Sequence, residues 1–165
     1  GAMNSMQPDN YSARRPNSAS IGTRAYQMAL FVVFESGLQM LADNPTLYYN
    51  NEDCIKFISS VPVLWDETKV LDAKLGEHLV LAKRNADKWY LGGMTAERKE
   101  PLEMDVVLDF LPEGKTYRLT SFEDGSNADR QAMHYTKNVR EVRKGDTVKI
   151  RMVRNGGYAA SLEAL

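Results

Sequence analysis

Residues 22–45, GTRAYQMALFVVFESGLQMLADNP, constrain the fold more than any other stretch of this chain. The spacing predicts one helix over residues 23–43, with Thr23 able to cap its start and Pro45 just past its end. Tyr26, Leu30, Val33, Gly37, Met40 and Leu41 recur on one face. Phe31, Phe34 and Leu38 fall on another and crowd Gln27, so that Glu35 and Gln39 leave only a narrow polar stripe. A helix apolar nearly all round needs packing on more than one side. The rest of a 165-residue chain looks too small to supply it. The expectation is a piece of a larger protein, whose helix evolved to lie against a neighbour outside this sequence. The competing expectation is the central core helix of a small α+β domain.

The length suits one domain, with room for an appendage, and is enough for a core without disulfides or metals. Lysines and arginines number 21 against 22 acids, so no global field points to nucleic acid or an anionic membrane. Cys54 is alone, which rules out a disulfide framework or a cysteine metal site within the chain. No apolar run approaches the roughly 20 residues of a membrane-spanning helix, and no signal peptide is evident. Residues 1–5, GAMNS, read as a protease-cleavage and cloning scar.

Residues 6–22 are polar and rich in Pro, Asn and Ser, as a loop or flexible arm should be. They carry one small basic spot, Arg14 and Arg15. After the long helix, Asn51 can cap a shorter one over residues 51–60, with Glu52 and Asp53 at its positive end and an apolar face of Cys54, Ile55, Phe57 and Ile58. Cys54 is therefore expected in the core. From residue 63 the pattern turns to short alternating segments over 63–71, 77–84, 88–94, 102–110, 116–123, 134–142, 148–152 and 158–162. The clearest period of two is Leu102, Met104, Val106, Leu108 and Phe110. Turn residues fall between the segments, and Asn155-Gly156-Gly157 reads as a hairpin turn. The fold class is mostly β with N-terminal helices: an antiparallel β-sandwich of about eight strands over residues 63–165, preceded by a helical segment over 23–61.

Chemistry is sparse. Asp66 and Glu67 are the most suggestive acidic pair, but neighbours on a strand point to opposite faces and share one substrate poorly. Their expected role is structural, beside a packed Trp65. His78 and His134 lack ligand spacing and are expected at the surface or hydrogen-bonded. Gly92-Gly93 and Gly156-Gly157 lack the strand-to-helix setting that cradles phosphate and read as bulge or turn glycines. Trp89 and Tyr90, with Trp65, can form either a sugar-stacking platform or part of the core. SFEDGSNADR, residues 121–130, is oxygen-rich but does not match an EF-hand loop, so a structured loop is expected.

GTRAYQMALFVVFESGLQMLADNP, VLWDETKVL, AKRNADKWYLGGMT, SFEDGSNADR and NGGYAASL, in this order and spacing, resemble the C-terminal part of glycoside hydrolase family 97. The resemblance runs from about Met6 to Leu162. It departs at Gly37, where the family pattern has proline. It implies a bacterial parent acting on α-glucosides or α-galactosides, built from an N-terminal β-sandwich, a catalytic (β/α)8 barrel and a C-terminal β-sandwich. The long helix would be the last barrel helix, with Phe31 and Phe34 in structural roles. The family's catalytic and calcium-binding carboxylates lie upstream, no position here matches them, and the fragment alone is then not an enzyme. The implied partners are the upstream barrel, a homo-oligomer and an α-linked oligosaccharide, and the implied location is periplasmic or secreted. Barrel active sites form at the C-terminal ends of the strands. The loop entering the last helix, residues 9–15, is therefore expected near the parent's pocket, which makes Arg14 and Arg15 sugar-contact candidates beside Trp89 and Tyr90. The expected work of the domain is to brace the barrel and mediate subunit contacts, and the alternative is a carbohydrate-binding module using exposed aromatics.

Overall fold

The computed structural model describes residues 1–12, 14 and 19–165. A short parallel pair, β1 (Ser5–Met6) and β2 (Ser20–Ile21), leads into α1 (Arg24–Val33), α2 (Pro45–Tyr49) and α3 (Glu52–Ser60). Eight strands follow: β3 (Glu67–Lys74), β4 (His78–Asn85), β5 (Lys88–Thr95), β6 (Leu102–Val107), β7 (Thr116–Asp124), β8 (Tyr135–Arg143), β9 (Thr147–Met152) and β10 (Gly157–Ala164). Each of the eight segments expected from alternation contains a strand, although residues 63–66 and 108–110 lie outside β3 and β6.

Six strands form one antiparallel sheet in the order β3-β4-β5-β10-β7-β8, and β6 pairs with β9 in a separate ribbon. The large sheet is the middle of three layers. On one side Val80, Trp89, Leu91, Leu119, Tyr158 and Leu162 pack against Val106, Leu108, Val148 and Ile150 of the ribbon side. On the other side Leu81, Tyr90, Phe122 and Ala159 pack against Met28, Ala29 and Val32 of α1 and Phe57 and Ile58 of α3. The helical segment and the strands thus share a core and are not separate bodies. Alternation along β5 and β10 supplies both layers, because successive side chains point to opposite faces. The turn at residues 153–156 joins β9 in the ribbon to β10 in the large sheet, so it crosses between layers and does not close a hairpin.

The expected long helix is shorter. Thr23 caps α1 as anticipated, accepting from Tyr26 N at 3.0 Å. The helix then stops at Val33, and Phe34 is extended, with φ −80° and ψ 143°. Residues 34–44 turn back along it. Gln39 Nε2 donates to the Phe31 carbonyl at 3.1 Å, and the buried ammonium of Lys83 donates to that of Val33 at 3.2 Å, so carbonyls of the last turn find partners outside the helix. Pro45 is not a terminator but opens α2, whose cap, Asn44, accepts from Leu47 N at 3.1 Å.

Two of the glycines expected at bulges or turns mark a close approach of helix and sheet. Gly92 lies within β5 and Gly157 begins β10. A Cβ on Gly92 would stand 2.9 Å from Val33 Cγ2, and one on Gly157 would fall on the α1 backbone, 2.8 Å from the Ala25 carbonyl carbon and closer to Tyr26.

Candidate interaction surface

One face of α1 is buried against the sheet and the other is not. Ala25, Met28, Ala29 and Val32 are enclosed, whereas Leu30, Phe31 and Val33 are half-covered. Phe34 is 56% exposed, and on the returning segment Leu38 and Met40 are 76% and 75% exposed. Leu41 and, farther on, Tyr49 add to the bare apolar surface. Leu30, Phe31, Phe34, Met40, Ala42 and Tyr48 line a groove of about 360 Å³ between α1 and this segment. Single exposed hydrophobics are ordinary, but a continuous patch marks an interaction site. Phe31 and Phe34 therefore belong to this surface, Phe31 half-packed and Phe34 outward.

Two of the sugar-contact candidates, Trp89 and Tyr90, point apart. Trp89 and Tyr90 are each 2% exposed and lie on opposite faces of the sheet. Trp89 packs on Phe110 with centroids 4.7 Å apart, and the Tyr90 hydroxyl donates to the Ser60 carbonyl at 2.6 Å. Neither offers a ring face to a sugar, which removes the stacking platform. Trp65 meets Tyr90 edge-on at 5.5 Å. Arg14 is exposed, its N–H donating to Ser12 Oγ, and Arg15 lies outside the described residues.

Asp66 and Glu67 are structural. Asp66 Oδ2 accepts from Ala86 N at 2.7 Å and fastens the β4–β5 turn, while Arg84 reaches Glu67 at 3.2 Å. Hydrogen bonds from Lys69 first and Arg84 second hold the Glu67 carboxyl below its ordinary range, the opposite of what a general acid needs. His78 pairs with Asp72 at 3.2 Å, and His134 is exposed ahead of β8. Cys54 is buried, and burial raises its thiol pKa, so it is a core residue with little thiolate. In the 121–130 stretch, Asp124 is turned inward and accepts from Val153 N at 2.9 Å and Gly157 N at 3.1 Å. Among the described residues no three His, Cys, Asp or Glu side chains are placed together as a metal-binding group.

Helix and sheet thus offer an outward apolar face. The family model described as glycosyl-hydrolase 97 C-terminal, oligomerisation, matches residues 64–163. The chain belongs to this family. The family 97 C-terminal domain described here is 38% identical over 163 residues to a retaining α-galactosidase of Bacteroides thetaiotaomicron, covering 99% of this chain and 24% of that protein. It is 32% identical over 147 residues to a probable retaining α-galactosidase of Streptomyces bingchenggensis, covering 89% of this chain and 21% of that one. A family 97 enzyme of Pseudoalteromonas sp. strain K8, solved in complex with acarbose, superposes with a TM-score of 0.83 at 33% identity, over 87% of this chain and 23% of that one. A β-arabinopyranosidase superposes with a TM-score of 0.73 at 25% identity, over 96% and 24%. The chain therefore spans about a quarter of the length of the curated relatives it matches.

The first residues of the family 97 domain pack against its body. Met3 is fully buried, its N–H donates to Asp43 Oδ2 at 2.8 Å, and the match to the Bacteroides relative reaches into residues 1–5. Arg24 organises this corner and escaped the sequence reading. Its guanidinium donates to the Met3 carbonyl and to Asn51 Oδ1, both at 2.8 Å, and lies 5.3 Å over the Tyr135 ring. The available signal was its position: a cation in the first turn of a helix opposes the dipole and needs another reason to be there. Asn51 is consequently occupied and makes no side-chain cap to α3.

Proposed function

We propose that this domain braces the catalytic barrel of a family 97 glycoside hydrolase and mediates contacts between subunits, and that the parent hydrolyses α-galactosides. The observation that carries the bracing role is the two-sidedness of α1: its inner face is sealed by the sheet, and the apolar groove on its outer side is open. The occupant assigned to that groove is the upstream part of the same polypeptide; the matched relatives have about three quarters of their length outside the region this chain covers. An obligate contact within one polypeptide is expected to resemble a core cut in half, as Leu30, Phe31, Phe34 and Met40 do. The substrate class rests on the two curated relatives described as retaining α-galactosidases, and an α-glucoside is the second choice. The carbohydrate-binding alternative loses its support with the burial of Trp89 and Tyr90. Calcium and the reacting carboxylates are assigned to the barrel.

The test compares one substitution in two settings. Phe34→Asp is expected to leave the melting temperature of the 165-residue chain nearly unchanged and to lower that of the full-length parent by several degrees. Equal effects in both would defeat the bracing role. Nitrophenyl α-galactoside and α-glucoside assays on the parent decide the substrate, and faster turnover of the glucoside would reverse the choice made here.

A further inference from the structure

Among the described residues the large sheet has two unpaired edges, β3 and β8, and they are built differently. The register of β3 on β4 shifts between Val70 and Asp72, a bulge that blunts this edge. The register of β8 on β7 runs without a break from Thr116↔Arg143 to Asp124↔Tyr135. Backbone groups along an antiparallel strand point alternately to either side. The His134 carbonyl accepts from Gly125 on the β7 side, whereas Arg143 N and O are both taken by Asp146. Even-numbered residues of β8 therefore face β7, and Lys137, Val139 and Glu141 present N–H and C=O groups outward. Val139 is 58% exposed, and Asn138, Arg140 and Glu141 are exposed around it.

We propose that β8 pairs antiparallel with β8 of a second copy of this chain, about a two-fold axis at Val139, joining two six-stranded sheets into one. The proposal rests on the subunit-contact role above and names its surface. The charge order along the strand selects the register. With Val139 opposite Val139 of the partner subunit, Lys137 stands opposite Glu141 of the partner subunit, and the symmetry repeats the pair. Moving the axis to Lys137 or to Glu141 sets like charges face to face, which costs stability. The two intermediate registers set one of the charges against a valine. Only the Val139-centred register satisfies both the outward-facing backbone and the side-chain charges. Lys137 is already held in place by Asp53 at 2.8 Å, and its ammonium has donors to spare for a second carboxylate.

The experiment is sedimentation equilibrium on the 165-residue chain and its variants. Val139→Pro removes an outward N–H at an edge position that tolerates proline and should weaken association about tenfold or more without loss of fold. Glu141→Lys and Lys137→Glu should each weaken self-association, and an equimolar mixture of the two should form a heterodimer, because each then supplies the charges the other lacks. Zero-length carbodiimide coupling of mixed light and isotopically heavy chains should join Lys137 to Glu141 across subunits, since four strand residues separate these groups by about 13 Å within one chain. A dimer unaffected by these changes would overturn the β8 interface and leave the subunit-contact role standing on another surface. A chain that stays monomeric at millimolar concentration would overturn both the interface and the idea that this domain associates unaided.

Discussion

The ammonium of Lys83 lies 3.2 Å from the carbonyl of Val33, the last residue of α1, and a strand of the sheet thereby caps the helix that lies across it. Lys83 is 1% exposed, pairs with the 67% exposed Glu35 at 3.2 Å and sits 5.3 Å over the Trp65 ring. A cation at a helix C-terminus meets the negative end of the dipole. Loss of Glu35 takes the carboxylate from the buried ammonium but leaves its bond to the Val33 carbonyl, whereas loss of Lys83 frees the end of α1 and the segment that folds back from it. Lys83→Met is expected to speed amide exchange over residues 30–41 about tenfold while the β5 and β10 amides keep their protection. Glu35→Ala should change exchange less, since it leaves the ammonium its bond to the Val33 carbonyl and its place over the Trp65 ring.

Gly157 sits where the α1 backbone crosses β10. A methyl group there meets main chain, which cannot rotate away as a side chain can. Gly157→Ala is expected to lower the unfolding free energy by about 3 kcal/mol or more, at or beyond the upper end of ordinary overpacking. Gly92→Ala, which meets the Val32 and Val33 side chains, should cost about 1–3 kcal/mol. Urea unfolding of the two variants measures both.

Gly37 offers the reverse case. It is exposed, a Cβ built on it meets nothing within 4 Å, and its φ lies outside the left-handed region. Alanine there restricts the unfolded chain without a clash in the folded one. Gly37→Ala is expected to raise stability by about 0.4–1 kcal/mol in the same urea titration.

These residues also show what local patterning can reveal. All eight strands of the two sheets were legible, because alternation and turn residues are written within a few positions of one another. The partnership of β6 with β9, and the passage from ribbon to sheet at residues 153–156, were not, because nothing local says which strand a strand will pair with. The early end of α1 has the same origin. Its causes include Lys83, fifty residues along the chain, and no window of twenty residues contains both ends of that contact. Trp89 and Tyr90 stand side by side in sequence and suggested a shared platform, yet adjacency in a strand sends them into different layers. The outward apolar surface was legible, because a helix greasy on several sides keeps that property wherever it ends. Its extent was misplaced, since the barest part is the returning segment at Leu38 and Met40 and not the helix.

Asp124 gives the domain a predictable response to pH. It is buried, and although Thr23, Val153 and Gly157 supply hydrogen bonds that favour its charged form, burial dominates and pushes its carboxyl pKa up from 3.8 to about 6. The unfolded chain releases this proton near 3.8 and the folded chain only near 6, so between these values the folded state holds more protons. Stability from this group is therefore full below 3.8 and is lost as pH rises through 6. Glu67 and Glu77 act in the opposite sense, their pKa values lying below the usual 4.5, but their contribution falls away only under acid conditions. Between about pH 5 and 7 the chain is expected to lose about 1 kcal/mol through Asp124 alone. Asp124→Asn keeps one carbonyl oxygen for the Val153 and Gly157 N–H groups and cannot ionise. Subtracting its stability profile from that of the unaltered chain cancels the other titrating groups, and the difference should slope downward from pH 5 and flatten above pH 7. A flat difference across that range would show that Asp124 is charged throughout and that its hydrogen bonds outweigh its burial.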